Sequence, residues 1–409
     1  MSTKQTHAFG ATKIAGAILG GRPDCPFMPV FGAPQVMFER GQGTQLWDVN
    51  GKRYLDFLCG IAVTSLGHSH PVIAAAIAHQ ANTLLHVSNF FANPVATQTA
   101  IMVDKLVSGS SGLASGAGQV FFCNSGAEAN EAAIKLARKF GGRGKHVVVS
   151  ALGSFHGRTL AALAATGQPE KHEPFAPMPE GFRHVVFNDI KSLEASLDNS
   201  VAAILLETVQ GEGGVIPASI EYLQAVRKIC TDRGILMMID EVQTGFARTG
   251  KWFGFEHAEI KPDVVMLAKA MGNGMPIGAL WARKEIAAVF KPGDHGSTFS
   301  GTAIATAAAR ATIQLMLDMD APAVATLRGN ELSEKLRTVN GVVEVRGRGL
   351  LLAAELKADL DAKSVATQLL EHGLVVNGVT SHALRFAPPL TVSSAEIDEA
   401  IAIIKQVLK

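Results

Sequence analysis

The sequence predicts an α/β protein built around a mainly parallel sheet, and two observations lead to this class. Short apolar runs rich in valine, isoleucine and leucine recur through the middle of the chain, and helical stretches separate most of them. Strands that are apolar along their whole length are typical of sheets covered by helices on both faces. The predicted strands cover residues 119–123, 147–150, 185–188, 202–207, 235–240, 264–267 and 277–282.

Helices are predicted where apolar residues recur every three or four positions. They cover residues 72–87, 128–140, 157–165, 190–197, 220–232, 302–318, 331–339 and 396–409. Turn residues near the start of the chain, such as Asn50-Gly51, favour a hairpin. Two further strand-like runs cover residues 341–344 and 350–355.

The length and charge of the chain limit its possible domain organisation and partners. At 409 residues it is long enough for two domains. We predict a large domain over residues 66–305 and a smaller α+β domain formed by residues 1–65 and 306–409. The 37 lysines and arginines balance 36 acidic residues, so the charge indicates neither nucleic acid nor an anionic membrane as partner. No apolar run approaches the roughly 18–20 residues that span a bilayer.

The cysteines and histidines indicate neither disulfides nor a metal centre. Four cysteines stand apart, without the paired spacings of disulfide frameworks or zinc sites. They are Cys25, Cys59, Cys123 and Cys230. His68 and His70 have no third ligand at a metal-like spacing and are interpreted as turn and packing residues. The apolar run at 15–19 is too brief for a secretory leader, so we expect a cytoplasmic protein.

Lys269 is the leading candidate for a reactive group. It follows the apolar strand predicted at 264–267 and precedes a glycine-containing turn. In open α/β sheets, ligands bind at the carboxyl ends of the strands. Burial there lowers the pKa of a lysine, so that its amine becomes a nucleophile able to form a Schiff base with an aldehyde. From this segment alone, a structural lysine that reaches into water is the commoner interpretation.

Two other predicted strand ends carry groups that suit a phosphorylated, nitrogen-containing ligand. Ser125 is placed to cap a helix, and the N–H groups of Gly126 and Ala127 would then face an anion such as phosphate. Asp240 ends a buried strand and needs a cation or hydrogen-bond donors, and a protonated pyridine nitrogen would satisfy it. A plain strand-to-helix turn and an N-capping aspartate are the alternatives.

A third segment imitates a nucleotide-binding loop. Residues 245–251 begin like the G-x-x-x-x-G-K phosphate loop, but Trp252 stands where serine or threonine should bind magnesium. The segment also does not run from a strand directly into a helix. A nucleotide-binding protein therefore stays as the alternative from another class, beside a non-catalytic sensor that keeps a cofactor.

Six motifs in fixed order closely resemble the class III pyridoxal-phosphate aminotransferases, over residues from about 34 to 389. They are SGAEAN at 125–130, FHGRT at 155–159, ETVQGEGG at 207–214, DEVQTG at 240–245, LAKA at 267–270 and GSTF at 296–299. The resemblance implies the fold of the fold type I pyridoxal-phosphate-dependent transferases, with the large domain holding the cofactor. Within the family, segments 56–63, 67–71 and 86–89 are most similar to members that act on acetylornithine in arginine biosynthesis.

The resemblance also implies how the pyridoxal 5'-phosphate is held. Lys269 would bind its aldehyde and later move a proton between the substrate carbon and the cofactor. Asp240 would pair with the pyridine nitrogen, Phe155 and Val242 would sandwich the ring, and Gln243 would bond the phenolic oxygen.

The resemblance implies that the phosphate is bound by residues of two subunits. By the same resemblance, Ser125, Gly126 and Ala127 would bind the phosphate, and Thr298 of a second subunit would complete that site. The active unit would then be a homodimer with shared active sites.

The substrates implied are an amino acid with a terminal amine and a 2-oxo acid. Arg158, with Ser297 nearby, would bind the α-carboxylate of acetylornithine, and Arg385 would bind the α-carboxylate of glutamate. Glu212 would neutralise Arg385 while the terminal amine reacts.

The chain departs from the family pattern after position 299 and at Phe90-Phe91, where tyrosines are frequent, and these departures concern the acyl pocket. Ornithine, succinylornithine, succinyldiaminopimelate and 4-aminobutyrate remain alternative substrates.

Overall fold

A computed structural model describes residues 27–32 and 34–409, so residues 1–26, with Cys25, and residue 33 lie outside the described residues. The strands in chain order are β1 Phe38–Gln42, β2 Gln45–Asp48, β3 Arg53–Asp56, β4 Gly118–Cys123, β5 Val147–Ala151, β6 Phe182–Val185, β7 Val201–Glu207, β8 Val209–Gln210, β9 Ile216–Pro217, β10 Leu236–Asp240, β11 Val264–Leu267, β12 Gly278–Arg283, β13 Val342–Arg348, β14 Leu351–Leu356, β15 Leu374–Val375, β16 Asn377–Gly378 and β17 Ala383–Phe386. The helices are α1 Pro71–Thr83, α2 Pro94–Ser110, α3 Gly126–Gly141, α4 Leu160–Ala165, α5 Ile190–Ala195, α6 Ile220–Arg233, α7 Lys284–Ala287, α8 Ala303–Asp318, α9 Ala321–Arg337, α10 Ala362–Glu371 and α11 Ser394–Val407.

A seven-stranded sheet forms the centre of the molecule, in the order β4-β12-β11-β10-β7-β5-β6. Only β12 runs antiparallel to its neighbours β4 and β11, and the other pairs are parallel. Every residue of β5, β7, β10 and β11 is buried because helices cover both faces. The predicted α/β class with a mainly parallel sheet is confirmed.

Three predicted elements differ clearly in extent from the structure, and three helices were missed. The strand predicted at 185–188 is Phe182–Val185, an edge strand whose partly exposed Arg183 and His184 break the apolar pattern. The helix predicted from residue 157 starts at Leu160, because Gly157 has φ of +143°. The helix predicted from residue 331 starts at Ala321, and α2, α7 and α10 were not predicted.

The two ends of the described chain meet in one region. Strand β3 pairs in parallel with β15, with Leu55 opposite Leu374. A second sheet, β13-β14-β17-β16, is called here the C-terminal sheet. The division into two domains at residues 65 and 305 stays a prediction.

Hydrogen bonds of Arg248 connect the C-terminal sheet to the central part of the molecule. Its guanidinium is fully buried and donates to the carbonyls of Leu350 (3.2 Å) and Pro388 and to Ser65 Oγ (2.5 Å). Burial lowers its pKa to about 10. The segment at 245–251 therefore connects the two parts of the structure, and bends and a short 3₁₀ helix, Gly254–Ala258, follow it where a phosphate loop requires an α-helix.

Across residues 27–32 and 34–409, no helix has both the length and the apolar composition needed to cross a bilayer.

Candidate active site

The carboxyl ends of the central strands border a cavity of about 380 Å³. Nine of the predicted site residues line it, namely Ser125, Gly126, Ala127, Phe155, Arg158, Asp240, Val242, Gln243 and Lys269. These residues are spread over almost 150 positions of sequence, and the parallel strands bring their loops to one edge of the sheet.

Lys269 sits at a strained point of the backbone. It follows β11 and opens a short 3₁₀ turn, with φ of +45°. Asn273, at φ of +47°, closes that turn and bonds the backbone of Leu66 (2.7 Å) and Gly67 (3.1 Å). A non-glycine residue in this region costs about 1–3 kcal/mol and persists where the surroundings enforce it. The turn thus holds the lysine at the edge of the cavity.

The charge state of Lys269 suits nucleophilic chemistry. Burial, and next the positive charge of Arg385, lower its pKa from 10.5 to about 8, while Glu212, Asp240 and Glu207 oppose the shift. About a tenth of the amine is therefore unprotonated at pH 7, far more than for an ordinary lysine, and this is the form that a nucleophile or a base requires.

Asp240 is held by three hydrogen bonds at the end of β10. Its Oδ2 accepts from Asn130 Nδ2 and from His156 Nδ1, both at 2.9 Å, and its Oδ1 accepts from the Val242 N–H at 3.0 Å. The carboxylate is oriented by these donors and borders the cavity. It fits a ring nitrogen that carries a proton.

Asn130 and His156 received no role from the sequence. A buried asparagine inside an alanine-rich helix was the available signal, since a buried amide needs partners. His156 lies in the FHGRT motif, but its bond to a residue 84 positions away has no local signal.

The predicted anion site lies at the start of α3. Ser125 caps the helix, with its Oγ accepting the Glu128 N–H at 3.2 Å, as predicted. A Cβ at Gly126 would stand 2.8 Å from Val242 Cγ1, so a larger residue would close this part of the cavity. The free N–H groups and the helix dipole favour a phosphate here. With Asp240 and Lys269 facing the same space, the residues fit pyridoxal phosphate.

Glu207 is a second carboxylate that sequence reasoning passed over. It ends β7 directly beside Asp240 in the parallel register, and its Oε2 accepts the Phe155 N–H at 3.0 Å. Burial, opposed by His156 and assisted by the charge of Asp240, raises its pKa to about 7. An acid that ends a buried strand was the signal, as for Asp240.

Arg385 reaches the site from the C-terminal sheet. It is fully buried, and its Nη1 donates to Glu212 Oε1 at 2.6 Å and to Gln243 Oε1 at 3.3 Å. Its Nε donates to Asn377 Oδ1 at 3.1 Å, whereas its Nη2 is buried without a partner among the described residues. An unsatisfied guanidinium N–H is a ready donor for an incoming carboxylate.

Burial by itself would raise the pKa of Glu212, but the adjacent Arg385 outweighs burial and lowers it. The ion pair is therefore charged near neutral pH.

Three of the predicted residues lie at or beyond the mouth of the cavity. Arg158 is exposed at the cavity mouth, with its guanidinium 5.7 Å from the Phe155 ring centre. Ser297 Oγ accepts from Asn124 Nδ2 at 3.0 Å. Thr298 is exposed and does not line the cavity of its own chain. Across the described residues, no group of three or more histidine, cysteine or acidic side chains is arranged to hold a metal ion.

Comparison with known proteins supports the same class. Residues 30–408 match the family model described as Aminotransferase class-III. The chain is 46% identical to an acetylornithine aminotransferase of Caldanaerobacter subterraneus subsp. tengcongensis, over 93% of this chain and 96% of that protein. It is 48% identical to an acetylornithine aminotransferase of Gloeobacter violaceus, over 91% and 93% of the two chains.

Solved structures share the fold. An ornithine aminotransferase from Toxoplasma gondii superposes with a TM-score of 0.87 at 32% identity, covering 94% of this chain and 92% of that one. An N-acetylornithine aminotransferase from Stenotrophomonas maltophilia gives 0.79 at 34% identity, covering 91% and 95%. The chain belongs to the class III aminotransferases and is a pyridoxal-phosphate-dependent aminotransferase of fold type I. The resemblance seen in the motifs is confirmed.

Glu207 makes the stability of the cofactor-free protein depend on pH. Its pKa is raised from 4.5 to about 7 by folding, so the folded state binds more protons in this window and loses stability as pH rises through it. Glu207→Gln does not titrate and keeps an oxygen for the Phe155 N–H. We expect equal free energies of unfolding at pH 4.5 and a variant more stable by roughly 1–3 kcal/mol at pH 8, measured by urea titration.

The exposed Glu221→Gln serves as the control and should match the wild type at both values. A constant difference between Glu207→Gln and wild type across this range would contradict the titration of Glu207.

Proposed function

We propose that the enzyme transfers the terminal amino group of N2-acetyl-L-ornithine to 2-oxoglutarate, giving N-acetyl-L-glutamate 5-semialdehyde and L-glutamate. The observation that carries the proposal is the Glu212–Arg385 pair at 2.6 Å beside the lysine of the cavity. The curated acetylornithine aminotransferases, at 42–48% identity, support this substrate among those of the family. The step would belong to arginine biosynthesis.

The pair suits two substrates of different charge. While the terminal amine of the donor reacts, Glu212 cancels the charge of Arg385, so the cavity does not hold an unpaired cation beside it. When 2-oxoglutarate enters, its α-carboxylate takes the place of Glu212 and gains the unpartnered Nη2 of Arg385. One cavity can thus accept an amine end and a carboxylate end in turn.

Pyridoxal phosphate, when bound, supplies an aldehyde and an electron-withdrawing ring. The residues around it have separate tasks. Lys269 would hold the cofactor and carry the proton at the reacting carbon with its Nζ. Asp240, oriented by Asn130 and His156, would keep the ring nitrogen protonated. Phe155 would cover one face of the ring, fixed by its N–H bond to Glu207.

Other residues would contact the second face of the ring, its phenolic oxygen and the phosphate. Val242 would cover the second face, and Gln243 would bond the phenolic oxygen. Ser125, Gly126 and Ala127 would bind the phosphate at the start of α3.

Arg158 and Ser297 would hold the far end of the donor. Arg158 is exposed at the cavity mouth without a salt-bridge partner among the described residues, and it is suited to the α-carboxylate of acetylornithine. Donors with a free α-amine would place a second positive charge near this arginine. The acylated donor is therefore favoured over ornithine on electrostatic grounds.

A substrate screen tests the proposal directly. We expect the purified enzyme to have its highest kcat/KM with acetylornithine, and lower values with succinylornithine, succinyldiaminopimelate, ornithine and 4-aminobutyrate, all with 2-oxoglutarate as acceptor. Glutamate formation is the measured quantity. Preference for ornithine or 4-aminobutyrate would refute the acetylornithine assignment and leave the aminotransferase class intact.

Lys269 is tested by removal of its amine. We expect Lys269→Ala to lose the visible absorbance of the bound cofactor and at least a thousandfold of transamination, because nucleophile and proton carrier are lost together. The exposed Lys251→Ala, in the segment that imitates a phosphate loop, should keep both. Transamination retained in Lys269→Ala would show that another group performs the chemistry.

We further propose a homodimer with shared sites. Phe90, Phe91 and Phe299 are 92%, 70% and 59% exposed beside the Ser297–Thr298 segment, an arrangement that favours cover by a second copy of the chain. Thr298 would then reach the phosphate of the partner's site, since it does not line its own cavity.

Mixed dimers test the sharing. Lys269→Ala and Thr298→Asp subunits should each be nearly inactive alone. In a refolded mixture, a dimer with one subunit of each kind has one intact site, so activity should return to about a quarter of wild type. A mixture as inactive as its components would place Thr298 in its own subunit's site, and an active Thr298→Asp enzyme would place it outside both.

The described cysteines Cys59, Cys123 and Cys230 are free and buried, which supports a reducing compartment such as the cytoplasm, to be checked by fractionation of the source cells.

A further inference from the structure

Glu212 stands on a short loop whose shape is set by unusual backbone. Strands β8 and β9 form a two-residue ladder, and residues 211–215 connect them. Gly214 has φ of +111° and Val215 has φ of +56°. A β-branched residue in that region is rare and strained. The surroundings must therefore hold the loop in this conformation.

Two arginines of the C-terminal sheet form hydrogen bonds with this loop at different residues. Arg385 Nη1 binds the Glu212 carboxylate, and Arg346 Nε donates to the Gly214 carbonyl at 2.9 Å. Arg346 is opposite Ala353 on β14, and Ala353 is opposite Arg385 on β17. The two arginines therefore share one face of the sheet, about 10 Å apart across the strands.

The middle of the loop is packed onto the same face. Val215 is fully buried in a cluster with Ala353, Val209 and Leu351. The small side chain of Ala353 leaves room for the loop between the two arginines. The loop backbone is thus held by the packing of Val215, while the Glu212 carboxylate pairs with Arg385.

Arg346 itself is fixed by charge. Its Nη2 is 2.8 Å from Glu355 and its Nη1 is 3.4 Å from Glu344. A cation held by two carboxylates has few alternative positions, so its bond to the Gly214 carbonyl is a fixed point for the loop.

We propose that Arg346 is a positioning residue for the Glu212–Arg385 pair. It keeps the loop backbone in place, so that the Glu212 side chain alone leaves Arg385 when a carboxylate enters and returns when the carboxylate leaves. The role rests on the proposed function, since it serves the alternation between an amine donor and a dicarboxylate acceptor.

The consequence is a selective effect on one half of the reaction. Without the anchor, Glu212 is less often paired, and Arg385 faces the amine donor as an uncompensated cation. The dicarboxylate acceptor binds Arg385 only when Glu212 has left it, so the reaction with the acceptor is unaffected or favoured. A general packing role for Arg346 would weaken both halves alike.

The experiment follows each half-reaction by single turnover of the cofactor absorbance. In Arg346→Met, we expect kcat/KM for acetylornithine to fall about tenfold, an amount equal to one charge-assisted contact, and that for 2-oxoglutarate to change less than about twofold. Arg346→Lys should be intermediate, because its ammonium can still donate to a carbonyl. Glu355→Gln weakens the hold on Arg346 without changing a residue of the loop. It should therefore also lower the ratio of kcat/KM for acetylornithine to kcat/KM for 2-oxoglutarate.

Binding gives a second readout without turnover. The dissociation constant of glutarate, a dicarboxylate with no reacting group, should be equal or lower in Arg346→Met. Arg348→Met is the matched control on the same strand, as no hydrogen bond of the described residues joins Arg348 to the loop, and it should leave the ratio unchanged. Equal losses in both half-reactions of Arg346→Met, or weaker glutarate binding, would overturn the role of Arg346. A wild type that rejects acetylornithine would overturn the proposed function alone, and the ratio is then measured with whichever terminal amine it accepts.

Discussion

The site depends on one constraint, which is that charges removed from water at the edge of the central sheet must be balanced by their neighbours. Asp240 and Glu207 end adjacent parallel strands in register, and Lys269 follows the next strand. In this low-dielectric setting, an unpaired charge costs several kcal/mol. The pKa of Lys269 therefore reflects all the charged groups around it, and Arg385 is the largest of these influences after burial.

The C-terminal sheet supplies positive charge next to these carboxylates. Arg385 on β17 bonds Gln243, which lines the cavity, and Arg346 from the same face bonds the loop that carries Glu212. From the central part of the chain, Arg248 donates to the carbonyls of Leu350, which precedes β14, and of Pro388, which follows β17. Guanidinium groups suit this task because they stay charged when buried and donate in several directions. The chemistry of the central sheet is thus tuned by an element that contributes no nucleophile.

Much of this arrangement could be predicted, and the failures have physical reasons. Lys269, Asp240 and Ser125 follow apolar strands, so their position at the cavity edge was predictable from local pattern. The Glu212–Arg385 pair joins residues 173 positions apart, and only the resemblance to a family suggested it. The bonds of Asn130 and His156 to Asp240 are likewise long-range. Strand β6 was misplaced because edge strands carry polar residues, and the apolar-run criterion finds only strands buried on both faces.

The backbone at Lys269 has a consequence for how this position evolves. A φ of +45° suits glycine or asparagine and is unfavourable for lysine. Selection for folding stability alone would therefore remove the lysine, and replacements would accumulate in any lineage that no longer needed its amine. Under the role proposed for Lys269, persistence of lysine here records selection for chemistry against a steady conformational disadvantage, and its loss would mark a descendant that no longer works as a catalyst.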